Sequence, residues 1–370
     1  MSNATIARRE EVGSSIPAGK VAGSRLLGRI PEGNAIVSND GATCEPVFVV
    51  GMNGSGTTML LDCLGRHPEL YGFPQETRLI PYLMSREASY GDLSVDENFY
   101  RLWDEVRSLP AFREINGNAP VPLPDDWRDG RRNLASILDT VFRYFAAQEG
   151  KQRWVEKTPQ HVQHITSLAA MFPGARFLHV IRDGRDCAAS FHRRWYRRPE
   201  LTIFRWKKVV AMGSTQGAGI GSSRYLEVRY EDLTSQPEPA LRAICGFLGV
   251  PFDPAVLESD QPYLVAEPSE DARGLRPNSG KWERYFSPRT RDRLERTAGR
   301  QLARCGYHTS RADGDMDIPS WQRRYWAATE VLRPYGREIW RKLTGELERP
   351  WRVILAKPVT ALRHREHNQY

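Results

Sequence analysis

At 370 residues the chain is too long for one minimal domain and too short for three, and with 40% hydrophobic and 10% aromatic residues it can bury a sizeable core. Disordered and collagen-like chains are excluded, and no run approaches the roughly 20 apolar residues that a membrane-spanning helix needs. The formal charge of +8, from 53 basic and 45 acidic residues, points to an anionic ligand or surface without saying which.

In chain order, Met1 to Thr43 is polar, carries Arg8, Arg9, Glu10 and Glu11, and lacks the apolar core of a secretory signal or anchor, so residues 1–45 read as a flexible lead-in. From residue 46 to about 310, short β-rich runs alternate with helical patterns. Val47 to Val50, Arg153 to Glu156, Phe177 to Ile181 and Tyr225 to Val228 read as strands, and Thr57–Arg66, Pro159–Met171, Asp183–Tyr196 and Pro237–Leu248 as the helices that follow them. Thr158-Pro159 supplies a cap and a first-turn proline, and Gly249 closes the helix ending at Leu248. Strand-then-helix alternation predicts an α/β fold, a doubly wound parallel sheet of the phosphate-loop type with helices on both faces.

Two stretches break the rhythm. The proline- and glycine-rich segment Ala111–Arg132 reads as a long loop over a binding site, and Arg197–Gly221 as a second specificity loop. Residues 311–370 form a separate extension: Asp313 to Asp317 is a polar hinge, and Trp321, Tyr325, Ala328, Leu332, Tyr335, Ile339 and Leu343 recur at helical spacing with a kink at Pro334. From Met316 to Tyr370 there are 11 basic and 6 acidic residues, and the basic, aromatic helix is expected to pack on the α/β domain or make a homo-oligomer contact before it lies peripherally on an anionic membrane. The five cysteines, Cys44, Cys63, Cys187, Cys245 and Cys305, are scattered without a CxxC pair. That pattern argues against a disulfide framework or zinc site and for a reducing, cytoplasmic setting.

The most informative motif runs from Gly51 to Thr58. A glycine loop between an apolar strand and a helix presents backbone N–H groups and a helix N-terminus to phosphate. Every fixed position of G-x-x-x-x-G-K-[ST] is met except one: Thr57 stands where an NTPase has its phosphate-binding lysine. With no lysine and no metal-binding aspartate after the strand Phe177 to Ile181, nucleoside triphosphate hydrolysis is disfavoured and no metal is expected. Lys157 follows the strand ending at Glu156, and in open α/β sheets that edge is where ligands sit. Arg182 at another strand's end, Ser190 two turns into the next helix and Arg194 one turn further make a cradle for a separate phosphate.

Together these residues resemble the sulfotransferases that use 3′-phosphoadenosine 5′-phosphosulfate (PAPS), most closely the tyrosylprotein sulfotransferase-like and bacterial branch. Asn53 to Thr58 is similar to the family's 5′-phosphosulfate loop, Arg182 to Ser190 to its 3′-phosphate motif, and Val228 to Leu233 and Gly280 to Tyr285 to later segments. Gln75 to Pro81 resembles the stretch carrying the catalytic glutamate of the tyrosylprotein branch, and Glu156 to His161 a run in its bacterial relatives. The resemblance implies that Gly54, Ser55, Gly56, Thr57 and Thr58 hold the 5′-phosphosulfate, that Arg182, Ser190 and Arg194 hold the 3′-phosphate, and that Tyr230 and Lys281 contact other parts of the nucleotide. It implies Glu76 as the base, Lys157 as the cation at the bridging oxygen, Arg78 as an orienter of the acceptor or of Glu76, and Ser269 as a transition-state serine. Two positions depart from the pattern: Gly54 replaces the loop's arginine or lysine, and Pro74 replaces the cysteine before the glutamate of the animal Golgi enzymes, so a soluble bacterial-type enzyme is expected.

The expected reaction is sulfuryl transfer to a hydroxyl of a peptide tyrosine, carbohydrate, lipid or metabolite. A preorganised cation is needed where charge builds on the leaving oxygen, and a carboxylate where the acceptor loses its proton. His161 is the competing base, while His67, His179 and His192 read as structural. The rival readings are a phosphate-loop kinase of a small metabolite and a non-catalytic nucleotide-binding protein. Nucleic acid is not an expected partner, because no basic stripe interleaved with aromatics occurs in the core.

Overall fold

The structure, a computed structural model, describes residues 45–124, 127, 131–258, 275 and 277–329. Its sheet consists of β1 (Val47–Gly51), β2 (Leu70–Gly72), β3 (Arg153–Glu156), β4 (Arg176–Ile181) and β5 (Tyr225–Arg229), all parallel, in the order β2-β3-β1-β4-β5. Because every strand runs the same way, β1, β3 and β4 deliver their carboxyl ends to one edge: Gly51, then Lys157 just past β3, then Arg182 just past β4.

The sheet is buried on both faces, as the unbroken apolar runs VFVVG and RFLHVI require. Side chains alternate. Phe48, Val50, Trp154 and Phe177 point into one core with α3 (Asp96–Arg107), α5 (Leu134–Gln148) and α6 (Ile165–Met171). Val47, Val49, Val155, Leu178 and Val180 point into the other, against α1 (Thr57–Gly65) and α10 (Pro237–Leu248). A third cluster joins α7 (Gly184–Trp195), α8 (Pro199–Ile220) and α12 (Pro288–Arg304). Shorter helices complete the body: α2 (Ile80–Arg86), α4 (Pro110–Ile115), α9 (Tyr230–Ser235) and α11 (Lys281–Tyr285).

Several expectations change. Strand β2 lacks a sequence signature because it is three residues long, and the helix expected over Pro159–Met171 is a 3-10 turn, Pro159–Gln163, followed by α6. The loop expected at Ala111–Arg132 begins as helix α4, whose start Pro110 is compatible with a first turn. Arg197–Gly221 is not a loop: Pro199 opens the 22-residue helix α8. Its glycines serve close packing, since a Cβ on Gly213 or Gly217 would run into the rings of His179 and Tyr225.

The polar hinge at Asp313 to Asp317 is docked. Lys207 donates to Asp315 at 2.9 Å and to the Met316 carbonyl at 3.0 Å, and Arg300 reaches the other Asp315 oxygen at 2.9 Å. The α/β body therefore extends past residue 310. A helix follows at 320–329, with Arg198 over the Trp326 ring at 5.3 Å and Arg323 over Phe204 at 5.0 Å. The rest of the extension, with most of its apolar stripe, and the lead-in 1–44 lie outside the described residues, as does Ser269.

Candidate active site

The loop after β1 turns through Gly54 at φ 86° and Gly56 at φ 105°, left-handed values that glycine adopts freely. Both also sit under aromatic rings. A Cβ on Gly56 would collide with Tyr230, and one on Gly54 would stand 3.0 Å from the Phe191 ring. Ser55 and Thr57 are buried and Thr58, in the first turn of α1, is exposed. The N-terminus of α1 is capped by Gly56 with no side-chain hydrogen bond, which leaves its amides to an anion.

Arg182 closes one side of this loop. Its guanidinium stacks on Tyr230 at 4.2 Å and donates to the carbonyls of Asn278 at 2.8 Å and Gly54 at 3.4 Å. Asn278 in turn donates to the Tyr230 hydroxyl at 3.2 Å. Arg182, Tyr230 and the glycine loop are thus in direct contact.

Lys281 is brought there by a residue outside the predicted set. Asp186, in the first turn of α7, accepts the Gly280 N–H at 2.7 Å and the Trp282 N–H at 3.0 Å, pinning the start of α11 beside α7. Partial burial and the like charges of Arg193 and Arg182 hold both the Lys281 ammonium and the Arg194 guanidinium below their ordinary pKa ranges. Such crowding of cations marks a place where an anion would be welcome. Ser190 is buried on α7, between Arg182 and Arg194 in sequence.

On the other side of the loop, past β3, Lys157 is buried and donates to Glu76 at 2.9 Å. Arg78 binds the other Glu76 oxygen through two nitrogens, at 2.8 and 2.5 Å. Burial pushes the Glu76 carboxyl up, but the hydrogen bonds and charges of Lys157 and Arg78 outweigh it and hold the group below the ordinary carboxylate value. The chain bends sharply here. Arg78 has φ 45°, and the Leu79 N–H donates to the Thr77 carbonyl across it, a γ-turn of the strained hand that costs on the order of 1–3 kcal/mol.

His161, the competing base, is buried away from the loop, its ring facing Phe48 and its Nδ1 bonded to Glu156 at 3.0 Å. Glu156 is the carboxylate that sequence reasoning passed over: fully buried at the end of β3, it accepts from Thr77 at 2.9 Å and from Thr158 at 2.5 Å. A charged residue in an apolar strand was the available signal. His179 is likewise a core group, bonded to Tyr225 at 2.6 Å and held neutral by burial, its pKa pushed down to about 3.

A nucleotide with two separate phosphate groups fits these residues. Two buried polar atoms beside the loop, Ser55 Oγ and Arg182 Nε, have no hydrogen-bond partner among the described residues, and buried polar groups are rarely left so. No cluster of His, Cys, Asp and Glu suited to a metal occurs among the described residues.

The fold and this edge define an α/β protein of the glycine-loop class. The sequence profile of the sulfotransferase family matches residues 46–254, more than half of the chain, and the chain belongs to that family. It is 28% identical over 232 residues to Protein-tyrosine sulfotransferase 2 of Gallus gallus, covering 60% of this chain and 55% of that one. Protein-tyrosine sulfotransferase A of Caenorhabditis elegans is 26% identical over 236 residues, 61% of this chain and 56% of that one. The chain thus spans about half the length of the curated relatives it matches. Among solved structures, a sulfotransferase domain from the curacin biosynthetic pathway aligns over 72% of this chain and 98% of its own, at 20% identity and a TM-score of 0.48.

Proposed function

We propose that the protein transfers a sulfuryl group from PAPS to a hydroxyl acceptor, with Glu76 as base and Lys157 as the cation at the leaving oxygen. The observation that carries this reading is the 2.9 Å Lys157–Glu76 pair beside a glycine loop that has Thr57 in place of a lysine. When bound, the nucleotide supplies an activated sulfuryl group whose transfer leaves negative charge on the bridging oxygen. The loop amides from Gly54 to Thr58 would hold its 5′ end, Arg182, Ser190 and Arg194 its 3′-phosphate, and Tyr230 and Lys281 its remaining parts.

Lys157 is buried, so its ammonium acts where water screens it little. Glu76, kept ionised by its two cations, is ready to accept the acceptor's proton at neutral pH, and Arg78 fixes its second oxygen while leaving an exposed guanidinium face for the acceptor. The same cations that guarantee ionisation lower its basicity. Entry of the hydroxyl must therefore loosen the Lys157 contact as the ammonium turns to the leaving oxygen. The acceptor class spans peptide tyrosine, carbohydrate, lipid and metabolite hydroxyls. The four described cysteines are buried free thiols, which supports a cytoplasmic setting.

Calorimetry with 3′-phosphoadenosine 5′-phosphate and with adenosine monophosphate tests the reading. Loss of one charge-assisted phosphate contact is worth about 1.5–3 kcal/mol, so the monophosphate should bind at least about tenfold more weakly. Equal affinities, or tighter binding of ATP with magnesium, would sink it.

A further inference from the structure

Glu76 stands just before the strained turn Thr77–Leu79, and its carboxylate must sit between Lys157 and the acceptor. What fixes it is not in the reacting set. The fully buried Glu156 carboxylate receives the Thr77 hydroxyl at 2.9 Å and the Thr77 N–H at 3.4 Å on Oε1, together with the Thr158 hydroxyl at 2.5 Å. Thr158, having donated its proton, accepts the Arg78 N–H at 3.4 Å. Glu156 Oε2 is held from the opposite side by His161 Nδ1 at 3.0 Å. Both residues after Glu76, one of them in the left-handed region, are therefore tied to a single carboxylate anchored in the sheet beside Lys157.

Building on the assignment of Glu76 as base, we propose that Glu156 is a positioning residue, acting through Thr77 and Thr158 to hold the Glu76 carboxylate in register with Lys157. Burial of an ionised carboxylate is expensive unless every lone pair is met, and here both oxygens are met by donors that belong to the catalytic turn or brace it. The arrangement has a direct use. Glu76 and Lys157 lie 81 residues apart in the chain, and Glu156, the residue before Lys157, ties the backbone after Glu76 to the strand that leads into Lys157.

The test uses Thr77→Val, an isosteric change that removes only the hydroxyl, with Thr77→Ser as the restoring variant and Glu76→Gln run alongside. Thr77→Val should lower kcat by about tenfold, the scale of one lost hydrogen bond to a charged group. The KM for the sulfuryl donor and the affinity for 3′-phosphoadenosine 5′-phosphate should stay within about twofold, as should those of Thr77→Ser, which should recover kcat. The melting temperature of each variant reports whether the fold has been kept. The proposal is overturned by parental kcat in Thr77→Val while Glu76→Gln is inactive, or by nucleotide affinity and melting temperature falling in step with kcat. Parental turnover in Glu76→Gln would overturn the base assignment, and this proposal with it.

Discussion

On the β3 side of the glycine loop, each charge has its partner in place: Lys157 on Glu76 at 2.9 Å, Arg78 on the other Glu76 oxygen at 2.8 Å, and Glu156 satisfied on both oxygens. On the β4 side, Arg182 is held by two backbone carbonyls with its Nε unmet among the described residues, and Arg194 and Lys281 crowd it with like charge. One flank is assembled before any ligand arrives. The other gathers cations that Asp186 and Glu231 offset only in part, a place where an anion would be welcome. For the proposed group transfer, this division would separate chemistry, which needs fixed geometry, from capture of the donor, which needs field and affinity.

The largest effects should come from breaking the assembled flank. Glu76→Gln and Lys157→Ala should each lower turnover by about 10²-fold or more in a sulfuryl-transfer assay, with Glu76→Gln keeping its nucleotide affinity in calorimetry. Next comes the charged flank, where Arg182→Ala should weaken 3′-phosphoadenosine 5′-phosphate by about tenfold or more and adenosine monophosphate far less. Asp186→Asn should be milder. An asparagine can accept one of the two N–H groups from Gly280 and Trp282 but not both, so nucleotide affinity should fall by about fivefold, the scale of one neutral hydrogen bond. The smallest effect is a shift in pH dependence. Because Arg78 helps keep the Glu76 carboxyl low, its favourable ionised form is present at neutral pH and is lost only as pH falls through that lowered value. In Arg78→Ala the acid limb of the kcat profile should move upward in pH. A limb that stays put would mean Lys157 alone sets the carboxyl.

Much of this was legible in the chain. The glycine loop between strand and helix and the strands that lead into Lys157 and Arg182 are local signals, and each of the four expected strands falls within one residue of its expected bounds. Thr158, by contrast, opens the turn at Pro159 without a side-chain cap bond, its hydroxyl donating to Glu156 instead. Helix α8 was hidden because Gly213, Gly217 and Gly219 mimic a loop, whereas two of them merely admit the His179 and Tyr225 rings. Glu156 and Asp186 were hidden for a different reason. Both act on segments roughly 80 to 96 residues away, and although a charge in an apolar strand marks Glu156, nothing local names the distant backbone that either carboxylate organises. The docking of Asp315 on Lys207 was lost in the same way, as an acidic turn reads as solvated until its cations are known.

The bare Gly54 ties two positions of the chain into one variable. A Cβ at 54 would stand 3.0 Å from the Phe191 ring, so a side chain there fits only if the ring yields by a few tenths of an ångström. A lysine or arginine at 54 would also have to hold φ 86°, where an L side chain is strained, and a smaller group at 191 would ease only the contact with the ring. Across relatives of this chain the two sites should therefore change together, and installing the cation here calls for the pair Gly54→Lys with Phe191→Ala rather than either change alone.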